Sequence, residues 1–158
     1  MSVAMPTLHI REARAADATA ACEVLRRSIV ELCEPDHNND AQFLAGWLAN
    51  KTPENVAAWI ADRGNFVYVA VDAGMIVGVA AMTRAGVVTL NYISPEVRFR
   101  GVSKALLGQL ERKACELGLT QCSLSSTKTA QRFYHTAGYR EQHGVKAGCC
   151  LPMVKDIA

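Results

Sequence analysis

Apolar residues recur along this chain in two rhythms, one of strands and one of helices, and the switches between them mark out the elements. His9-Ile10-Arg11-Glu12-Ala13 reads as a first strand, and Asp17 stands where it can cap a helix carrying Ala21, Val24, Leu25, Ile29 and Leu32 at helical spacing. One face of that helix is therefore expected to be buried. Glu34 to Asp40 is polar and turn-rich and reads as a loop, after which Phe43, Leu44, Trp47 and Leu48 start a second amphipathic pattern. Thr52-Pro53-Glu54 begins another helix, with threonine as N-cap, proline in the first position and Val56, Trp59 and Ile60 as the buried stripe. Gly64 is the expected stop.

Phe66 to Val71 and Met75 to Met82 flank the turn Asp72-Ala73-Gly74 and predict an antiparallel hairpin, with Gly86 to Ser94 as a third consecutive strand. From Val102 the period becomes helical, with Leu106, Leu110, Ala114 and Leu117 on the same side as Val102 and Glu111, Arg112 and Glu116 towards the other, up to Gly118. Leu119 to Ser125 is a further strand, followed by a helix from about Thr127 through Ala130, Phe133, Tyr134 and Ala137 to Gly138. The tail from Tyr139 to Ile157, with Gly144 and Gly148, suggests a terminal hairpin in which Pro152 lies at an edge or bulge. A run of strands followed by alternating strands and helices predicts an α/β fold with a mixed sheet and helices on both faces.

At 158 residues, 50% hydrophobic and 20% charged, the chain suits a single domain over residues 1–158 with one sizeable core. Its net charge of +2, with basic residues spread along the sequence, argues against a nucleic-acid partner. Phe66 to Met82 is broken by Asp72 and Gly74, which argues against a membrane span, and Met1 to Ile10 lacks the basic and apolar regions of a secretory signal. A cytoplasmic location is expected. The six cysteines form no CxxC pair and read as small buried hydrophobes, with adjacent Cys149 and Cys150 open to oxidation. Cys33 and His37 lack third and fourth partners for zinc, so no metal is expected.

The chemistry concentrates after the strand ending at Ser94-Pro95. Arg98-Phe99-Arg100-Gly101-Val102-Ser103-Lys104 leads into a helix whose first N–H groups and positive dipole end make a phosphate site, to which Arg98, Arg100 and Lys104 add charge-assisted contacts. The same residues also suit a basic helix start with no ligand. Neither GxxxxGK[ST] nor an opening GxGxxG is present, which excludes the P-loop and the dinucleotide fingerprint.

Arg98-Phe99-Arg100-Gly101-Val102-Ser103 resembles motif A of the GNAT N-acetyltransferases, Gln/Arg-x-x-Gly-x-Gly/Ala, with Ser103 in the last small position. Thr127-Lys128-Thr129-Ala130-Gln131-Arg132-Phe133-Tyr134-His135-Thr136-Ala137-Gly138-Tyr139 resembles the family's Asn-x-x-Ala-x-x-Phe-Tyr-x-x-x-Gly-Phe, with Thr127 where asparagine is usual, and Met153-x-Lys155 resembles its last-strand Met-x-Lys. The resemblance covers Ile10 to Lys155 and implies a single-domain GNAT fold of about seven strands, an antiparallel meander followed by a parallel pair splayed at the cofactor.

It further implies acetyl-CoA as co-substrate, bound by Ile93, Arg98, Phe99, Arg100, Gly101, Val102, Ser103, Lys104, Thr127 and Tyr134. Leu90 to Ile93 would be the free strand edge, the N–H near Ile93 would hold the oxyanion, and Tyr134 would protonate the departing thiolate. Where relatives often carry a glutamate, this chain has Thr89 and Asn91, and Asn91 can position a water in place of a base. Glu34, Asp36 and His37 border the implied acceptor site and also suit a solvated turn. The expected reaction is transfer of an acetyl group to a small-molecule or peptide amine. The alternative is a non-catalytic acyl-CoA-binding sensor of the same fold. The sequence leaves a homodimer open.

Overall fold

The computed structural model describes residues 7–142 and 150–157; Gly144, Gly148, His143 and Cys149 lie outside them. The order is β1 (His9–Glu12), α1 (Ala18–Leu32), α2 (Glu34–His37), α3 (Ala41–Leu48), α4 (Pro53–Ala61), β2 (Asn65–Asp72), β3 (Met75–Thr83), β4 (Val88–Ile93), α5 (Val102–Glu116), β5 (Gln121–Ser126), α6 (Gln131–Thr136), β6 (Arg140–Glu141) and β7 (Leu151–Asp156). Strands β1-β2-β3-β4 form an antiparallel meander and β5-β7-β6 a second antiparallel sheet. Among the described residues one parallel bridge, Val87 with Ser123, joins the two.

Helices lie on both faces, as the period change in the sequence requires. Alternate residues of β2 and β3 serve opposite cores. Val67, Val69, Val71, Val79 and Ala81 pack with Ala21, Val24 and Leu25 of α1 and Val56 of α4. Tyr68, Ala70, Ala80 and Met82 pack with Leu106, Leu107, Leu110 and Ala114 of α5 and reach Leu124 of β5 and Met153 of β7. Each fully buried Leu or Ile contributes roughly 1.5–3 kcal/mol, so these two stripes hold the layers together.

Several local expectations are corrected. Asp17 does not cap α1: its carboxylate takes both guanidinium N–H groups of Arg11, at 2.8 and 3.0 Å, and the Arg14 N–H at 2.7 Å, which ties the end of β1 to the helix start. Residues 34–37 are a short helix because Pro35 sits in its first turn and Asn38, at φ 51°, stops it; Asp40 then caps α3 through the Phe43 N–H. Helix α4 ends at Ala61, ahead of Gly64, where the Asp62 carboxylate captures the Gly64 N–H. Leu117 is 37% exposed, and Glu111 turns inward to Tyr139 and Lys155. Strand β5 starts two residues later than expected because the Leu119 N–H closes the α5 terminus on the Ala114 carbonyl at 3.0 Å. Helix α6 starts at Gln131, after a turn in which the Ala130 N–H donates to the Thr127 carbonyl.

Pro152 lies in the central strand of its sheet, not at an edge. Its carbonyl accepts the Gln142 N–H at 2.9 Å, so the side lacking a donor faces β6, which is only two residues long.

Two features of β4 shape the site. Ala81 pairs with Leu90 but Met82 with Val88, so Thr89 is an unpaired bulge and its neighbours point to opposite cores. Gly86, at φ +84°, then lets β5 approach, since a Cβ there would stand 2.8 Å from the Gln121 carbonyl oxygen. The Ser123 N–H donates to the Gly86 carbonyl at 3.0 Å, where the two sheets join. A Gly86→Ala variant is expected to lose about 1–3 kcal/mol through the left-handed backbone and the backbone clash. Urea unfolding measures it, and an unchanged midpoint would contradict the role given to this junction.

Candidate active site

From the Val87–Ser123 bridge a parallel ladder would continue by pairing Thr89 with Ser125 and Asn91 with Thr127. The strands part instead, and all four residues line a cavity of about 490 Å³. The Ser94 N–H bonds the Val77 carbonyl at 2.8 Å, and Tyr92 pairs with Val79 in the same phase of the ladder. By alternation the backbone N–H and C=O groups of Asn91 and Ile93 face away from β3, into the gap.

The cavity floor is the N-terminus of α5. The first helical bond of α5 runs from the Ala105 N–H to the Gly101 carbonyl, so the N–H groups of Val102, Ser103 and Lys104 precede it. Phe99 at φ 65° and Gly101 at φ 79° turn the loop so that these donors converge. Arg98, Phe99, Gly101, Val102, Ser103 and Lys104 line the cavity, with the Arg98 guanidinium 4.6 Å over the ring of Phe99. Arg100 is exposed and does not line it; its N–H is tied to the Val97 carbonyl at 3.2 Å. Two cations and a helix N-terminus suit an anionic ligand.

The other wall comes from β5 and α6. Tyr134 is 8% exposed, with its ring edge-on to Phe133 at 5.1 Å and to Tyr139 at 5.6 Å. Tyr139 is fixed in turn by donating to Glu111 at 2.9 Å, and Glu111 also holds Lys155 at 2.9 Å. The last-strand lysine thus works through α5 on the aromatic pair. Burial raises the pKa of Tyr134, and the nearby polar amide of Asn91 works against that rise. A phenol that stays protonated at neutral pH can donate to a departing group.

Residues the sequence reading passed over complete the cavity: Ser28, Leu32 and Cys33 of α1 and its end, Tyr92 of β4, and Thr129 and Phe133. In the sequence Ser28, Leu32 and Cys33 are one end of a helix stripe that nothing local marks as a site, while Tyr92 falls within the Leu90–Ile93 edge and Thr129 and Phe133 within the motif around Tyr134. Burial pushes the Tyr92 phenol up, with Cys33 adding to the shift, and pushes the Cys33 thiol up to about 12.

Of the acceptor-loop candidates, His37 is 2% exposed with both ring nitrogens engaged, Nε2 with the Ile29 carbonyl at 3.0 Å and Nδ1 with the Asn39 N–H at 3.0 Å. Asp36 accepts the Thr129 N–H at 3.2 Å and its hydroxyl, bridging α2 to the turn before α6. Glu34, Asp36 and His37 do not line the cavity. Among the described residues no group of three or more metal-ligating side chains occurs, and no helix is long and apolar enough to cross a membrane.

A family model described as an acetyltransferase (GNAT) domain matches residues 33–156. The fold is shared with the PaiA N-acetyltransferase of Thermoplasma acidophilum, solved in complex with coenzyme A, at TM-score 0.81 and 18% identity over 99% of both chains. It is shared with a GCN5-related N-acetyltransferase from Rhodopseudomonas palustris at TM-score 0.83 and 22% identity, again over 99% of both. YncA of Salmonella typhimurium, solved with acetyl-CoA, aligns at TM-score 0.68 and 21% identity over 96% of this chain and 94% of its own. No curated protein sequence matches the chain.

Cys33 gives a direct check of the cavity's dryness. With its pKa near 12, its thiolate fraction at pH 8 is about a thousandfold below that of an ordinary exposed thiol. Iodoacetamide labelling followed by mass spectrometry is expected to modify exposed Cys115 while sparing Cys33. Comparable rates would mean that the wall is open.

Proposed function

The chain belongs to the GNAT acetyltransferase family, and from that premise we propose that it transfers an acetyl group from acetyl-CoA to a primary amine by direct attack. The observation that carries this reading is the open edge of β4. The Asn91 and Ile93 backbone groups face a gap whose floor is the α5 N-terminus with Arg98 and Lys104. An extended ligand bearing amides along its length and phosphates at one end matches both demands. Coenzyme A has that chemistry. Its presence in the PaiA complex, and of acetyl-CoA in that of YncA, supports the assignment.

In this reading Gly101, Val102, Ser103 and Lys104 hold the pyrophosphate, with Arg98 beside it and Phe99 at the rim. Thr127 borders the pantetheine arm. The Ile93 N–H polarises the thioester carbonyl and stabilises the oxyanion, a donor fixed in advance by the β3 pairing. Tyr134 gives its proton to the departing thiolate.

Deprotonation of the amine is assigned to water. Among the described residues the cavity wall carries no carboxylate and no histidine, and the Asn91 Oδ1 is buried with no hydrogen-bond partner. That oxygen is the acceptor available to an N–H of the amine or to a water beside it. The wall opposite the cofactor, made of Ser28, Leu32, Cys33 and Tyr92, is small and largely apolar, which favours a small-molecule amine over a peptide.

Tyr134→Phe is expected to lower kcat by about a hundredfold with acetyl-CoA KM changed less than about twofold, since the phenol acts in the transition state. Thiol release with a panel of primary amines measures both. Unchanged kcat would remove the acid from Tyr134.

A further inference from the structure

The loop before α5 holds an aromatic residue where its backbone favours glycine. The Arg100 N–H bonds the Val97 carbonyl at 3.2 Å, and Arg98 between them has φ −55° and ψ 138°. With Phe99 at φ 65°, residues 97–100 have the signature of a type II turn, whose third position takes a left-handed backbone. Glycine adopts that backbone freely, and a bulky residue there is strained. The ring recovers nothing from the interior, because Phe99 is 89% exposed and belongs to neither core. A single exposed apolar side chain is ordinary, but one kept at a glycine position points to a contact outside the fold.

The surroundings of the ring say what makes that contact. Phe99 lines the cavity, and the Arg98 guanidinium lies 4.6 Å over its ring. The ring is therefore a flat aromatic surface backed on one side by a cation. The N–H groups of Val102, Ser103 and Lys104, which hold the pyrophosphate in the acetyl-transfer reading, follow within the same segment and precede the first helical bond of α5. In that reading the pantetheine arm leaves the phosphates along β4 towards Tyr134, so the ribose and its base leave them outwards, past the exposed loop 98–100. A phosphate site with an exposed ring beside it is the combination that a nucleotide requires, charge for its phosphates and a stacking surface for its base.

We propose that Phe99 is a specificity residue for the acyl donor: backed by Arg98, its ring stacks on the adenine of coenzyme A, so that the site distinguishes the whole nucleotide from a pantetheine thioester lacking the base. The proposal rests on the acetyl-transfer reading given above and adds to it a contact made by a side chain, where the rest of the loop acts through backbone and charge. The strain at Phe99 is then offset when the base covers the ring.

Two binding measurements test it, and neither needs turnover. Base–aromatic stacking sets the scale at about tenfold in affinity. In calorimetry Phe99→Leu, which keeps an apolar side chain but not the ring, is expected to bind coenzyme A about tenfold more weakly, while its affinity for 4′-phosphopantetheine, which lacks the adenosine, changes less than about twofold. Phe99→Tyr, which keeps the ring, is expected to stay within about twofold of wild type for both ligands. In proton NMR the adenine ring protons of coenzyme A are expected to move upfield on binding to the wild-type chain, under the ring current of Phe99, and to lose that shift in Phe99→Leu. Coenzyme A that binds with no such shift, or with a shift that survives in Phe99→Leu, overturns the proposal and leaves the acetyl-transfer reading standing. Equal losses for the two ligands in Phe99→Leu also overturn it, since the ring would then support the phosphate loop and not the base. A wild-type chain that binds coenzyme A but acetylates no amine overturns the acetyl-transfer reading, and the adenine shift then decides the proposal by itself.

Discussion

A strand edge inside a folded protein presents N–H and C=O groups that water can reach only poorly and that no neighbouring strand satisfies. Leaving one buried donor or acceptor unpaired costs about 1–3 kcal/mol. In this protein β4 is paired on one side by β3, and on the other, among the described residues, one bridge from Val87 just ahead of it reaches Ser123 of β5. Everything at the candidate site follows from that interrupted pairing. The gap is lined by backbone on one side and aromatic side chains on the other, and its open polar groups belong to Asn91 and Ile93.

The rest of the structure keeps the gap from closing. Residues on both faces of β2 and β3 are committed to cores, so β4 cannot slide without exposing one of them. The bulge at Thr89 turns the strand, and Gly86 fixes where the sheets meet. Helix α5, packed through Leu106 and Leu110, delivers its N-terminus to the base of the gap. Glu111, on the same helix, holds Tyr139 and Lys155 and thereby steadies the ring against which Tyr134 packs. Two devices, a split sheet and a charged helix start, thus face one cavity.

Much of this was legible in the sequence. The hairpin turn falls at Ala73-Gly74 with positive φ at both residues, which Gly74 accommodates freely and Ala73 adopts to match the strand twist, and Thr52 caps α4 through the Asn55 N–H. The basic loop Arg98-Phe99-Arg100-Gly101 before an apolar helix stripe reads equally as a phosphate site and as a helix start with no ligand, and the motif around Tyr134 tips the reading. The departures are local contests between hydrogen bonds. Asp17 is better satisfied by Arg11 and Arg14 than by a cap, and Asp62 stops α4 before Gly64. Less visible were contributions that depend on tertiary placement. Ser28, Leu32 and Cys33 read as the end of a buried stripe and become a wall only because α1 lies over β4, while Arg100 reads as a ligand to phosphate and is turned out by the backbone at Phe99.

On the proposed function, the open β4 edge and the α5 N-terminus together receive an acyl-CoA. Amide hydrogen exchange with and without coenzyme A tests it most directly, because it reads those backbone groups themselves. Coenzyme A is expected to slow exchange at Asn91, Ile93 and Val102 to Lys104 together. Binding that leaves those amides unchanged and protects another surface, such as the groove around Cys115 and Glu116, would contradict it.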